Sequence, residues 1–82
     1  RHFRSAARNA KSVRPVLSRL GRRVRARRME LGLSQETMAE KMGLDAKHLQ
    51  LIESGTTNPT VATLAGVARG LGLSISELFL SE

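Results

Sequence analysis

The stretch LSQETMAEKMGLDAKHLQLIE, residues 33–53, constrains the fold more than any other part of the chain. It holds two short segments of helical spacing, broken at Gly43 and Leu44. Ser34 stands before the first segment as an N-cap, with Leu33 and Met38 spaced as a hydrophobic staple. Asp45 stands before the second, with Leu44 and Leu49 in the same relation. Met38, Ala39 and Met42 form the inner face of the first segment; Leu49 and Ile52 form that of the second. The spacing has physical content. Counted from Gln35, the fifth position must be small because the next helix crosses close to it, and it is Ala39. The ninth must accept a left-handed turn, and it is Gly43. The fifteenth and eighteenth must be apolar to lock the second helix onto the first, and they are Leu49 and Ile52.

The rest of the chain reads as helix as well. Val16, Leu17, Leu20, Val24 and then Arg28 or Leu31 mark one stripe, stopped by Gly32. Ser54 and Gly55 close the helix after Asp45, and TTNP is a turn. Thr60 caps a further helix, in which Val61, Leu64, Ala68 and Leu71 recur at helical spacing. Gly66 and Gly70 lie inside it, at about 1 kcal/mol each against Ala, and point to close packing or to a weak helix. Ser74 and Glu77, with Leu73 and Leu78, make a capping box that opens a short fifth helix. No segment of appreciable length alternates with period two.

Eighty-two residues make one domain with a small core. The chain has no Cys, so it must rely on helix packing or on a partner chain. No apolar run approaches the roughly 20 residues of a membrane-spanning helix, and a cytoplasmic location is expected. The chain begins with Arg1 and not Met, as a processed chain or a piece of a longer one would. Its charge is uneven. Residues 1–28 hold eleven Lys or Arg and no acid; residues 29–82 hold three Lys or Arg and seven acids. The first part therefore carries +11 and the rest −4, giving the net +7. A basic arm beside a near-balanced body points to a polyanion, most often nucleic acid, against the plainer reading of a solubilising tail. Pro15 disfavours helix just before it. Residues 1–15 are accordingly read as a flexible basic arm that becomes helical when bound, and residues 16–82 as the folded domain. The Arg-rich, acid-free N-terminus also resembles an organelle transit peptide, which the rest of the chain does not require.

Helix, tight turn with Gly and helix is the helix-turn-helix arrangement. RARRMELGLSQETMAEKMGL, IESGTTNP and LGLSISELF, in that order and spacing, resemble the phage repressor and Cro type of helix-turn-helix, the XRE family. The similarity covers about residues 20–79. It implies an all-α, compact five-helix domain of the lambda repressor-like fold that binds double-stranded DNA, usually as a homodimer on an inverted-repeat operator. It further implies that Gln35 contacts a phosphate and braces a base-reading side chain, and that Arg28 and Glu53 form a structural ion pair. Asn58 and Pro59 match the loop that approaches the DNA backbone.

With Leu49 and Ile52 inward, Asp45, Ala46, Lys47, Gln50, Leu51 and Ser54 face outward. A recognition helix points such residues at base edges in the major groove. Lys47 suits guanine O6 and N7, and Gln50 suits adenine N6 and N7. Ala46 and Leu51 suit a thymine methyl. Asp45 would repel phosphate, but as an N-cap its charge is tied to helix amides. His48 lies near the backbone-facing edge, as a phosphate contact or an ordinary surface residue. Arg4, Arg8, Lys11 and Arg14 are the arm's candidates for phosphates or the minor groove. Of Arg19, Arg22, Arg23, Arg25 and Arg27 on the first helix, half at most are credited with binding. Ile75, Leu78, Phe79 and Leu80 are too many apolar residues for one short helix to bury, so a homodimer through the C-terminal helix is expected. The plainer alternative is that Leu78 and Phe79 cap the monomer core.

The function that follows is sequence-specific double-stranded DNA binding by a transcription regulator of repressor type. The alternative is an antitoxin-type protein that binds a toxin partner and regulates its own operon. Catalysis has little to rest on: there is no Cys, Tyr or Trp, and no clustered His with carboxylates. No cofactor is implied. Two isolated His and no Cys argue against a metal site. Single-stranded RNA readers stack bases on aromatics, and this chain offers only Phe3 and Phe79.

Overall fold

The computed structural model describes the backbone of residues 5–80 and the side chains of residues 13–80. Four α-helices follow one another among the described residues: α1 (Ser5–Glu30), α2 (Gln35–Met42), α3 (Ala46–Ser54) and α4 (Val61–Leu71). A single 3-10 turn, Ser76–Phe79, follows them. The fold is all-α, with four helices and not the expected five. The capping box at the C-terminal end does form: the Ser74 amide donates to Glu77 Oε1 at 2.7 Å, and the Glu77 amide donates to Ser74 Oγ at 3.2 Å. The box opens only one turn because Leu78 alone reaches the core, while Ile75 and Phe79 on its flanks stay exposed. One buried side chain does not stabilise a longer helix.

The first helix also departs from the expected organisation. α1 begins at Ser5, not at Val16, and takes in most of the stretch expected as a flexible arm. Ala, Arg and Lys favour helix, and this propensity outweighs the backbone hydrogen bond that Pro15 cannot donate. Arg4 lies outside the described residues. Arg8 and Lys11 lie on the described backbone of α1.

The helix starts follow the caps read in the sequence. Ser34 Oγ accepts from the Thr37 amide at 3.1 Å, Asp45 Oδ1 from the His48 amide at 2.8 Å and Thr60 Oγ1 from the Thr63 amide at 3.1 Å. The partly buried Leu33, Leu44 and Leu73 pack against the core that holds Met38, Leu49 and Leu78, so all three staples draw a loop inward. At the sharp turn after α2, Gly43 has φ +75°, and the Leu44 amide donates back to the Ala39 carbonyl at 2.9 Å. This closes α2 in the manner of a Schellman motif and aims the chain into α3.

One core joins the helices. Leu20 and Val24 of α1, Met38, Ala39 and Met42 of α2, Leu49 and Ile52 of α3, and Val67, Ala68 and Leu71 of α4 are buried, together with Leu78. Two members of the expected stripes stay outside it. Leu31 lies past the end of α1 and is exposed, and Val61 in the first turn of α4 is 73% exposed. Close approach of backbones sets the packing distance. A Cβ on Gly66 would lie 2.6 Å from the Met42 carbonyl oxygen, and one on Gly21 would lie 2.6 Å from that of Ile52. A Cβ on Gly70 would lie 2.6 Å from Met42 Cγ and 3.2 Å from the Met42 nitrogen, so the two glycines in α4 reflect tight packing on α2 and not a weak helix. Arg27 Nε donates to the Leu71 carbonyl at 3.1 Å, and Arg23 Nε to that of Glu77 at 3.3 Å. These bonds tie α1 to the end of α4 and to the 3-10 turn.

Candidate nucleic-acid interface

α3 is held from beneath by its apolar pair and at one edge by its charge. Leu49 and Ile52 are fully buried, which fixes the rotation of the helix about its own axis. Lys47, Gln50 and Ser54 are then exposed, while Ala46, His48 and Leu51 are half-buried. The exposed residues recur at three and four positions, so they form one row along the helix. Asp45 caps α3 as expected, its carboxylate spent on the His48 amide. Ser54 is less available than its exposure suggests. Its hydroxyl lies 3.1 Å from the Leu51 carbonyl and 2.7 Å from Thr56 Oγ1, so it helps to close the end of the helix.

The edge is a four-part polar lock. Arg28 Nε and Nη2 reach the two carboxylate oxygens of Glu53 at 2.6 and 3.1 Å, a bidentate pair. Arg28 Nη1 donates to the Leu33 carbonyl at 2.8 Å, and Gln35 Nε2 donates to Glu53 Oε1 at 3.0 Å. One guanidinium therefore joins α1, the α1–α2 turn and α3, while Gln35 adds α2. The hydrogen bonds to Glu53, with its negative charge, hold the Arg28 guanidinium above its ordinary pKa, against the opposing effect of burial. The ion pair implied by resemblance is thus present in the geometry. Its third partner, Gln35, was not legible in the sequence.

Two grooves open beside α3. Arg25, Arg28, Gln35, Gln50, Glu53 and Ser54 line one of them. Arg25 stands one turn before Arg28 on α1, and that spacing is the signal that brings it to the same face. Asn58 belongs to the second groove, on the far side of the end of α3, together with Arg14. The sequence-derived residues are therefore not one cluster. Lys47, Gln50 and Ser54 form the outward row, Gln35 and Glu53 flank it, and Asn58 and Arg14 lie past its C-terminal end.

Known proteins share the fold. The family model described as "Helix-turn-helix" matches residues 24–78. An uncharacterized HTH-type transcriptional regulator of Sinorhizobium medicae is 32% identical over 71 residues, covering 87% of this chain and 51% of that protein. The immunity repressor protein of Bacillus phage phi105 is 39% identical over 63 residues, covering 77% and 44%. The chain thus spans about half the length of these curated relatives. The crystal structure of the restriction-modification controller protein C.AhdI from Aeromonas hydrophila superposes with a TM-score of 0.77 at 34% identity. That match covers 82% of this chain and 97% of the other. With the matched residues running from Val24 in α1 to Leu78 in the 3-10 turn, the chain belongs to the helix-turn-helix family.

Proposed function

We propose that this chain binds double-stranded DNA in a sequence-specific way as a transcription regulator of repressor type, acting in the cytoplasm. The observation that carries the reading is the exposed row Lys47, Gln50 and Ser54, on a helix whose rotation is fixed by Leu49, Ile52 and the Arg28–Glu53–Gln35 lock. A helix held so firmly presents its side chains to base edges in a fixed register. Lys47 donates to guanine O6 and N7, and Gln50 pairs with adenine N6 and N7. Ala46 and Leu51 offer apolar contact to a thymine methyl at the sides of the row. Gln35 uses one amide hydrogen on Glu53 and keeps the other for a phosphate. His48 and Asn58 flank the row at backbone positions. Arg4, Arg8, Lys11 and Arg14 supply the charge that raises affinity for any duplex.

The named relatives are regulators and a repressor, which favours this reading over that of a toxin-binding protein. A second copy of the chain, docked through the exposed Ile75, Phe79 and Leu80, would place two α3 helices on an inverted repeat. Selection of binding sites from random duplex DNA tests the proposal. An enriched inverted repeat is expected, with Lys47→Ala and Gln50→Ala each relaxing the preference at one position per half-site. Absence of any enriched motif would overturn sequence-specific binding.

A further inference from the structure

The C-terminal half of α3 lies across one face of α1 and meets it at three levels. The Glu53 carboxylate reaches Arg28 Nε at 2.6 Å. The Ile52 and Glu53 carbonyls rest on Gly21. Gly55, just past the end of α3, rests on Ser18: a Cβ on it would lie 3.1 Å from Ser18 Cα. The three contacts differ in kind. Arg28 pulls on Glu53 from the end of a long side chain, so it holds α3 without fixing how near it comes. Leu49 and Ile52, both buried, fix its rotation. Its separation from α1 is fixed by backbone against backbone at Gly21. There a Cβ would lie 2.6 Å from the Ile52 carbonyl oxygen and 2.9 Å from the Glu53 carbonyl carbon. Even a weak C–H···O contact keeps carbon and oxygen roughly 3.3 Å apart. The Ile52 oxygen cannot swing aside, because it accepts from the Gly55 amide at 3.1 Å. Gly is also a poor helix former for the interior of the 26-residue α1. Its place there fits the contact with α3 and not the stability of α1 itself.

We propose that Gly21 is a positioning residue for base reading: it lets α3 settle on α1 at the depth from which Gln50 meets the major groove. The inference rests on the sequence-specific duplex reading above. A side chain at position 21 would lift the C-terminal end of α3 by about 0.7 Å. That exceeds the roughly 0.5 Å within which a recognition side chain must be held. The other end of α3 would stay in place, because the Leu44 amide ties the preceding turn to the Ala39 carbonyl of α2 at 2.9 Å. α3 would therefore tilt about Asp45 and displace Gln50 more than Lys47.

The test uses the full chain with Gly21→Ala. It compares affinity for the duplex that wild type selects with affinity for a random duplex. The ratio of the two should fall by roughly 5-fold or more, the value of one bidentate base contact. Binding to the random duplex rests on phosphates and should stay the same. Site selection with the variant should lose the preference that Gln50→Ala also loses and keep the one that depends on Lys47. A partly unfolded variant would lose both affinities by one factor, so the ratio still reports position. An unchanged ratio, or an equal loss on both duplexes, overturns the proposal and leaves Gly21 with a role in the fold alone. A second measurement needs no variant. In wild type, NOEs between the Gly21 α-protons and the backbone protons of Ile52 and Glu53 should persist when the selected duplex binds. Their loss on binding would mean that α3 reads DNA from another position, and it overturns the proposal even where Gly21→Ala fails to fold. Failure of wild type to prefer any duplex overturns the sequence-specific reading and this proposal with it.

Discussion

The Glu53 side chain is only 5% exposed, yet it carries a charge. It is tolerable there because Arg28 meets it with two bonds and Gln35 with a third. Arg28→Met leaves the carboxylate with Gln35 alone, and an unpaired buried charge costs about 3 kcal/mol. Urea denaturation should show a loss of that order. Arg28→Met/Glu53→Met should recover a large part of it, because the pair itself is worth less than the cost of breaking it. At the other end of the chain, Glu77 shows the opposite regime. Its carboxylate is solvated, and its pKa is lowered chiefly by the Ser74 amide, then by the Ser74 hydroxyl. A lowered carboxylate pKa stabilises the fold fully above the ordinary carboxylate range and loses that effect as pH falls through the folded-state value. The Tm difference between wild type and Glu77→Gln should therefore be constant near neutrality and shrink on acidification. Of these two interactions, the capping box was legible as a local pattern, with Ser and Glu three residues apart. The ion pair spans 25 positions and was reached only through family resemblance. The bond from Gln35 was missed because a glutamine amide at a helix start has several possible partners, and spacing does not select among them.

At the scale of elements, the same division between local and distant information recurs. Ser34, Asp45 and Thr60 act within their own helical turns, and their helices begin where those residues stand. Pro15 also acts locally, but it does not end the helix. It removes one backbone donor, and the Ala- and Arg-rich turns on either side of it continue as α1. Gly66 required distant information. Within α4 it is a poor helix former, and Gly66→Ala would gain about 1 kcal/mol by propensity alone. Its Cβ would, however, lie 2.6 Å from the Met42 carbonyl oxygen, which belongs to backbone and cannot swing aside. Overpacking of this kind costs about 1–3 kcal/mol, enough to cancel or outweigh the gain. Thermal melts should show Gly66→Ala no more stable than wild type, and a clear rise in Tm would refute the close approach of α2 and α4.

At the scale of the whole molecule, the C-terminal apolar residues divide between the core and the surface. Leu78 is 1% exposed and belongs to the common core, whereas Phe79 is 39% and Leu80 57% exposed. The sequence placed these residues together without separating them, because one 3-10 turn offers too little periodicity to assign faces. The division makes dimerisation testable without loss of the fold. Phe79→Asp introduces a charge at the proposed contact between copies while leaving Leu78 and the core in place. Sedimentation equilibrium should show a concentration-dependent dimer for wild type and a monomer for Phe79→Asp. Circular dichroism at dilution should give the two the same helical content, whereas Leu78→Asp should unfold the chain. On DNA, wild type should occupy both halves of an inverted repeat together. Phe79→Asp should fill them one after the other, each with the affinity of an isolated half-site, since the contact that couples two α3 helices has been removed and the surface of each has not. A wild-type chain that stays monomeric at high concentration, and that fills an inverted repeat without coupling, would instead assign Ile75, Phe79 and Leu80 to some contact other than a second copy.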